Sequence, residues 1–156
     1  MIKCSFTTEE NNWSHRLKKI HMLVAKIMQF KNELHFKKNI DYDCNLIFTN
    51  DKLIKKMNLQ FRKINKSTDV LTFVFNVNIN MKKPRKICDI FLSAETILKD
   101  SKIYEINFYD HLTHIIVHSF LHINGFVHKK INDFVQMKKE EIKVLKKLSI
   151  SNPYLL

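Results

Sequence analysis

The stretch His118-Ser119-Phe120-Leu121-His122-Ile123-Asn124-Gly125-Phe126-Val127-His128 constrains this chain more than any other. Three histidines stand there at spacings of four and six, and Gly125, the only glycine in the 156 residues, falls between the second and the third. Residues four apart on a helix share a face and rise about 6 Å, so the rings of His118 and His122 can converge. Zinc binds imidazole nitrogen at about 2.0–2.1 Å, which puts two ligand nitrogens within roughly 4 Å of each other. Asn124-Gly125 can end the helix in a left-handed residue and turn the chain so that His128 folds back. Three neutral imidazoles leave a fourth tetrahedral position open, the geometry of catalytic zinc.

His111 and His114 fall on the same stripe of a helix predicted from Asp110 to Asn124. Residues eight apart rise about 12 Å, so His114 and His122 do not share an ion. Supporting or structural roles are expected for His111 and His114. The plainer alternative makes His118 and His122 core residues bonded to backbone, with His128 on a basic loop beside Lys129 and Lys130. Three histidines around one turn weigh against it. In H-E-x-x-H peptidases a glutamate follows the first histidine as general base, and here that place is Ser119, which removes the support for that mechanism.

Upstream, Ile2, Cys4 and Phe6 alternate as in a short strand. Thr7 and Glu10 have capping-box spacing before a helix to about Phe30, with Trp13, Leu17, Ile20, Val24 and Ile27 on one face. His15, His21 and His35 read as surface or core-edge residues. Leu46-Ile47-Phe48 is a second strand, followed by a helix capped by Asn50 and ending near Arg62. Asp69 to Phe75 is dense enough in β-formers for a strand buried on both faces. Ile87 to Leu92 is another, paired antiparallel with it across a polar loop. Ser93 can cap the next helix, Asp110 the histidine helix, and Asn132-Asp133 a last helix whose Phe134, Met137, Glu141, Leu145 and Leu148 share one side. Interleaved strands followed by a helical C-terminal third predict one α+β domain over 1–156, a mixed sheet of about four strands packed with helices.

The net charge of +12 favours polyanionic partners. Few arginines, one glycine and many lysines, asparagines and isoleucines look like drift in an AT-rich genome, so single lysines carry little weight and Arg62 more. Cys4, Cys44 and Cys88 are odd in number and irregularly spaced, which suits reduced thiols in the cytoplasm. No signal pattern opens the chain, and the apolar run from Leu112 to Val127 is broken by histidine and asparagine, so a cytoplasmic protein with no membrane partner is expected.

The histidine stretch resembles the signature of the YbeY family of ribosome-maturation endoribonucleases, H-G-x-L-H-L-x-G-Y-D-H, which stands here as H-S-F-L-H-I-N-G-F-V-H. Ser119, Phe126 and Val127 depart from it. Asn58 to Arg62 is similar to the family's N-x-x-Y-R element with Phe61 for tyrosine, Ser67 to Phe73 to its T-D-V-L-S-F strand, and Cys88-Asp89-Ile90 to its G-D-I. Met137, Glu140 or Glu141, Leu145 and Asn152-Pro153-Tyr154 fit downstream.

The resemblance implies a zincin-like fold, one zinc ion on His118, His122 and His128, and cleavage of single-stranded RNA in small-subunit ribosomal RNA 3′-end maturation and ribosome quality control. Ribosomal RNA, the small ribosomal subunit and its proteins would be the partners. Arg62 and His118 are the expected catalytic residues, Arg62 pairing with phosphate. The proton carrier stays open among His114, Ser119 and the metal's own water, and attack by the RNA 2′-hydroxyl stays open too. Two other readings remain: a non-catalytic ribosome-assembly factor with a structural zinc, and a metal hydrolase of another substrate class.

Overall fold

The computed structural model describes residues 1–8, 11–78 and 82–155. Four strands form one sheet: β1 (Ile2–Thr8), β2 (Asp41–Thr49), β3 (Val70–Val77) and β4 (Arg85–Ser93), in the order β1-β2-β4-β3. The β1–β2 and β2–β4 pairs are parallel, and β3–β4 is antiparallel as predicted. The architecture is therefore α+β with a mixed sheet. Along β2 the buried apolar residues are Tyr42, Cys44, Leu46 and Phe48, and along β4 Cys88, Ile90 and Leu92, a period of two that buries one face. On the other face Ser5, Asn45 and Asp89 form a hydrogen-bonded polar row across three strands.

The three cysteines, irregular in sequence, are brought into one row: Cys4 pairs in register with Cys44, and Cys44 with Cys88. All three are free thiols, and the neighbouring thiols together with burial push the Cys44 thiol up. Cys44 and Cys88 are buried filling of the sheet, and Cys4 is half-buried.

The helices are α1 (Asn11–Ser14), α2 (Leu17–Met28), α3 (Asp51–Arg62), α4 (Ala94–Ile103), α5 (Phe108–Ile123) and α6 (Ile131–Lys147), with a final 3₁₀ turn at Pro153–Leu155. The central one is α5, which packs against α2, α4, α6 and β3. Leu112, Ile115, Ile116, Val117, Phe120, Leu121 and Ile123 are all buried, so it is apolar nearly all round except for its histidine stripe. Among the described residues no helix is long and apolar enough to cross a membrane.

Several local expectations differ from the structure. The predicted first helix is broken at His15-Arg16 into α1 and α2, although Trp13, Ile20, Val24 and Ile27 still share the buried face. The predicted capping box includes Glu10, which lies outside the described residues. Strand β3 is not buried on both faces: it is the sheet's edge, with Leu71 buried and Val74 and Phe75 exposed. The cap of α5 is Asn107, whose side chain accepts from the Tyr109 and Asp110 amides, one turn earlier than the predicted Asp110. Neither Asn132 nor Asp133 caps α6, which starts after Lys130 without a side-chain cap. Asn50 caps α3 as expected, accepting from Leu53 N at 2.9 Å. Ser93 stands at the cap of α4, but its hydroxyl donates to Asp51 instead.

Candidate metal centre

Helix α5 presents His118 and His122 on one side, and its C-terminus decides where His128 goes. Phe126 N donates to Leu121 O and Gly125 N to His122 O, both at 3.1 Å, which is the Schellman arrangement. Gly125 has φ 95°. Lys63, Glu105 and Ser149 also take positive φ just past helix ends, between 54° and 62°, where side chains are tolerated. Gly125 lies beyond that band, and a Cβ built there meets nothing within 4 Å, so backbone conformation rather than space requires the glycine. Gly125→Ala is expected to cost about 1–2 kcal/mol of stability in urea denaturation. By the same reasoning Ser149→Gly stabilises slightly, a change of opposite sign in the same assay.

The turn brings the three rings together. Centroids of His118 and His122 are 4.4 Å apart, of His122 and His128 4.8 Å, and of His118 and His128 5.4 Å. One ligand atom from each lies within 4.8 Å of the others. His118 and His122 are half-buried and His128 is exposed, so the cluster opens to solvent on one side.

The hydrogen bonds decide which nitrogens are available. His118 Nδ1 meets a carboxylate oxygen of Glu141, so that nitrogen carries the proton and donates. His122 Nδ1 donates to the Phe126 carbonyl at 2.8 Å, a bond made possible by the same turn. In the neutral rings both Nε2 atoms are therefore bare lone pairs, yet they face each other at 2.9 Å. Two lone pairs at that distance repel unless a cation lies against both. Burial, with His118 adding to it, holds the His122 imidazole down to about 4, which keeps it a neutral donor. The donor set therefore fits a divalent transition metal such as zinc.

Glu141 was placed on the inner side of the last helix by periodicity, but its role was missed. It is 1% exposed and accepts from His114 Nε2 at 2.9 Å, from His118 Nδ1 and from the Tyr154 hydroxyl. Burial alone raises such a carboxyl, but the bonds from His114, His118 and Tyr154 outweigh it and hold Glu141 down to about 2. The signal was present in sequence, since a carboxylate on an otherwise apolar helix face needs buried donors. This is the carboxylate–histidine arrangement that orients metal ligands.

The remaining expected residues lie differently. His114 supports Glu141 and takes no place among the three converging nitrogens. Ser119 is fully buried and its hydroxyl donates to Ile115 O at 3.0 Å, so it faces the core rather than the histidines and cannot carry a proton for them. Val127 is exposed beside His128. Arg62 ends α3 in an exposed position and makes no hydrogen bond or ion pair with the histidine cluster among the described residues. Before it, buried Asn58 donates to Lys66 O at 2.8 Å and pins the loop that follows. A cavity of about 640 Å³ between β1 and α2 is lined by residues that include Cys4, Phe6, His21 and Val24 and by none of the three histidines.

Comparison with known proteins gives a consistent match. The family model described as Endoribonuclease YbeY matches residues 5–149. A relative from Bartonella quintana named Endoribonuclease YbeY is 33% identical over 155 residues, covering 99% of this chain and 98% of its own. One of the same name from Pelagibacter ubique is 35% identical over 141 residues, covering 90% and 92%. Among solved structures, the solution structure of TM1509 from Thermotoga maritima matches with a TM-score of 0.53 and 23% identity, over 96% of this chain and 92% of that one, a likeness of fold.

Proposed function

Because the chain belongs to the YbeY endoribonuclease family, we propose that it is a zinc-dependent, single-strand-selective endoribonuclease of small-subunit ribosomal RNA 3′-end maturation and ribosome quality control. It works in the cytoplasm, with ribosomal RNA, the small subunit and its proteins as partners. The observation that carries the metal part is the pair of bare Nε2 lone pairs of His118 and His122 at 2.9 Å. A helix bearing both ligands, with the third histidine returned by a glycine turn, supports the zincin-like reading of the fold.

His118, His122 and His128 would hold one zinc ion. When bound, such an ion supplies Lewis acidity toward a phosphate oxygen and lowers the pKa of a water toward neutrality. The chain's own residues do the rest. Glu141 fixes the His118 ring with its proton on Nδ1, and the Phe126 carbonyl does the same for His122. Arg62, with no described partner engaging its guanidinium, is free to pair with a phosphate through its planar fork. The net charge of +12 holds the RNA backbone without reading bases.

Arg62→Ala is expected to keep its metal and its fold and to lose cleavage of single-stranded RNA by about 10²–10³-fold. Metal analysis beside the cleavage assay separates the two effects, and an Arg62→Ala protein that cut at the wild-type rate would remove Arg62 from the mechanism. Wild-type protein that held metal and bound RNA without cutting it would instead favour the assembly-factor reading.

A further inference from the structure

A second cluster stands at the other end of α5. One ligand atom each from Asp69, Asp100 and His111 lies within 4.8 Å of the others. These residues come from three elements: Asp69 directly precedes β3, Asp100 is in α4, and His111 is in the first turn of α5. We propose that they form a second divalent-cation site, distinct from the three-histidine centre.

The independent observation is the state of His111. It is 8% exposed, and neither ring nitrogen has a hydrogen-bond partner among the described residues. A buried imidazole in that state loses its solvation at both nitrogens with no return, and a native structure rarely leaves one so. A cation among the three residues gives one nitrogen its partner. Burial depresses His111, against the pull of Asp69, so the ring offers a lone pair rather than a charge.

The carboxylates are in a matching condition. Asp69 accepts from Thr68 Oγ1 at 3.0 Å and Val70 N at 2.7 Å, both through Oδ1, which fixes the group and leaves Oδ2 unengaged. Neither Asp69 nor Asp100 forms an ion pair among the described residues, in a chain with 27 basic side chains. Two half-buried carboxylates brought together without an ion-pair partner repel. Burial and the neighbouring Asp69 raise Asp100, against the pull of Lys99. A divalent cation converts that repulsion into attraction.

One imidazole nitrogen and two carboxylate oxygens suit a first-row ion such as Mn²⁺ or Zn²⁺ better than Mg²⁺, which prefers oxygen alone. His111 and His118 are seven residues apart on one helix, a rise of about 10 Å. Paired catalytic ions sit about 3.5–4 Å apart, so this ion stands alone and does not complete a two-metal centre. Its place joins the edge strand β3 to α4 and α5.

The test is Mn²⁺ uptake by the wild type, Asp100→Asn, Asp69→Asn and His118→Ala, read by electron paramagnetic resonance of free Mn²⁺ with circular dichroism as the fold control. Wild type takes up one more Mn²⁺ than either aspartate variant, and His118→Ala keeps the ion that they lose. In His118→Ala, which has lost the neighbouring three-histidine centre, Mn²⁺ broadens the His111 imidazole resonances. Equal uptake by wild type and both aspartate variants overturns the site, as does a His111 signal that Mn²⁺ leaves sharp. Neither result bears on RNA cleavage, so this inference stands or falls apart from the proposed function.

Discussion

Replacing His118 with alanine is expected to abolish metal binding and to take RNA cleavage to the background of the assay. Residues that only orient a metal ligand cost about 10–100-fold in affinity when lost, and removal of a ligand exceeds that. Here the loss is compounded, because His118 Nδ1 is also one of the three donors to buried Glu141. An unsatisfied buried acceptor costs about 1–3 kcal/mol, so His118→Ala lowers stability as well. His122→Ala separates the two effects. Its Nδ1 partner is the Phe126 carbonyl, leaving Glu141 untouched, and the same loss of metal and cleavage is expected with a smaller loss of stability.

Glu141→Gln is the second large effect. A carboxylate accepts from three donors at once, whereas an amide has one oxygen and turns its NH₂ toward the others. An NH₂ facing His118 Nδ1 favours the tautomer with the proton on Nε2, which occupies the lone pair a metal needs. Metal affinity is expected to fall about 10–100-fold, read by competition with a chromophoric chelator. The pH dependence has a definite sign. The folded-state pKa of Glu141 is depressed from 4.5 to about 2, so its stabilisation is complete above about pH 4.5 and is lost as pH falls toward 2. Acid unfolding of metal-free protein in that window is expected to flatten in Glu141→Gln.

The histidine centre was readable because its parts are local. A spacing of four on a helix and a single glycine before the third histidine are short-range facts, and the left-handed residue at Gly125 follows from them. Strand positions were readable for the same reason. The partners of Glu141 were not, because His114 and His118 lie 27 and 23 residues away on another helix, and only the α5–α6 packing brings them together. Ser119 was a candidate proton carrier by its adjacency to His118, but one residue along a helix turns the side chain about 100°, here into the core. Strand β3 misled because β-former density reports strand propensity, while burial depends on sheet order, and the order puts β3 at the edge. The cysteine row depends on the parallel register of three strands, which no spacing reveals.

The central claim is that RNA cleavage depends on a metal held by His118, His122 and His128. Its most direct test strips the wild-type protein with chelator, verifies that it is metal-free, and follows cleavage of single-stranded RNA as zinc is returned, with His118→Ala carried through the same purification. Silent stripped protein, activity restored with the first equivalent of zinc and no restoration in His118→Ala is the predicted result. Metal-free wild-type protein cutting at the full rate contradicts it.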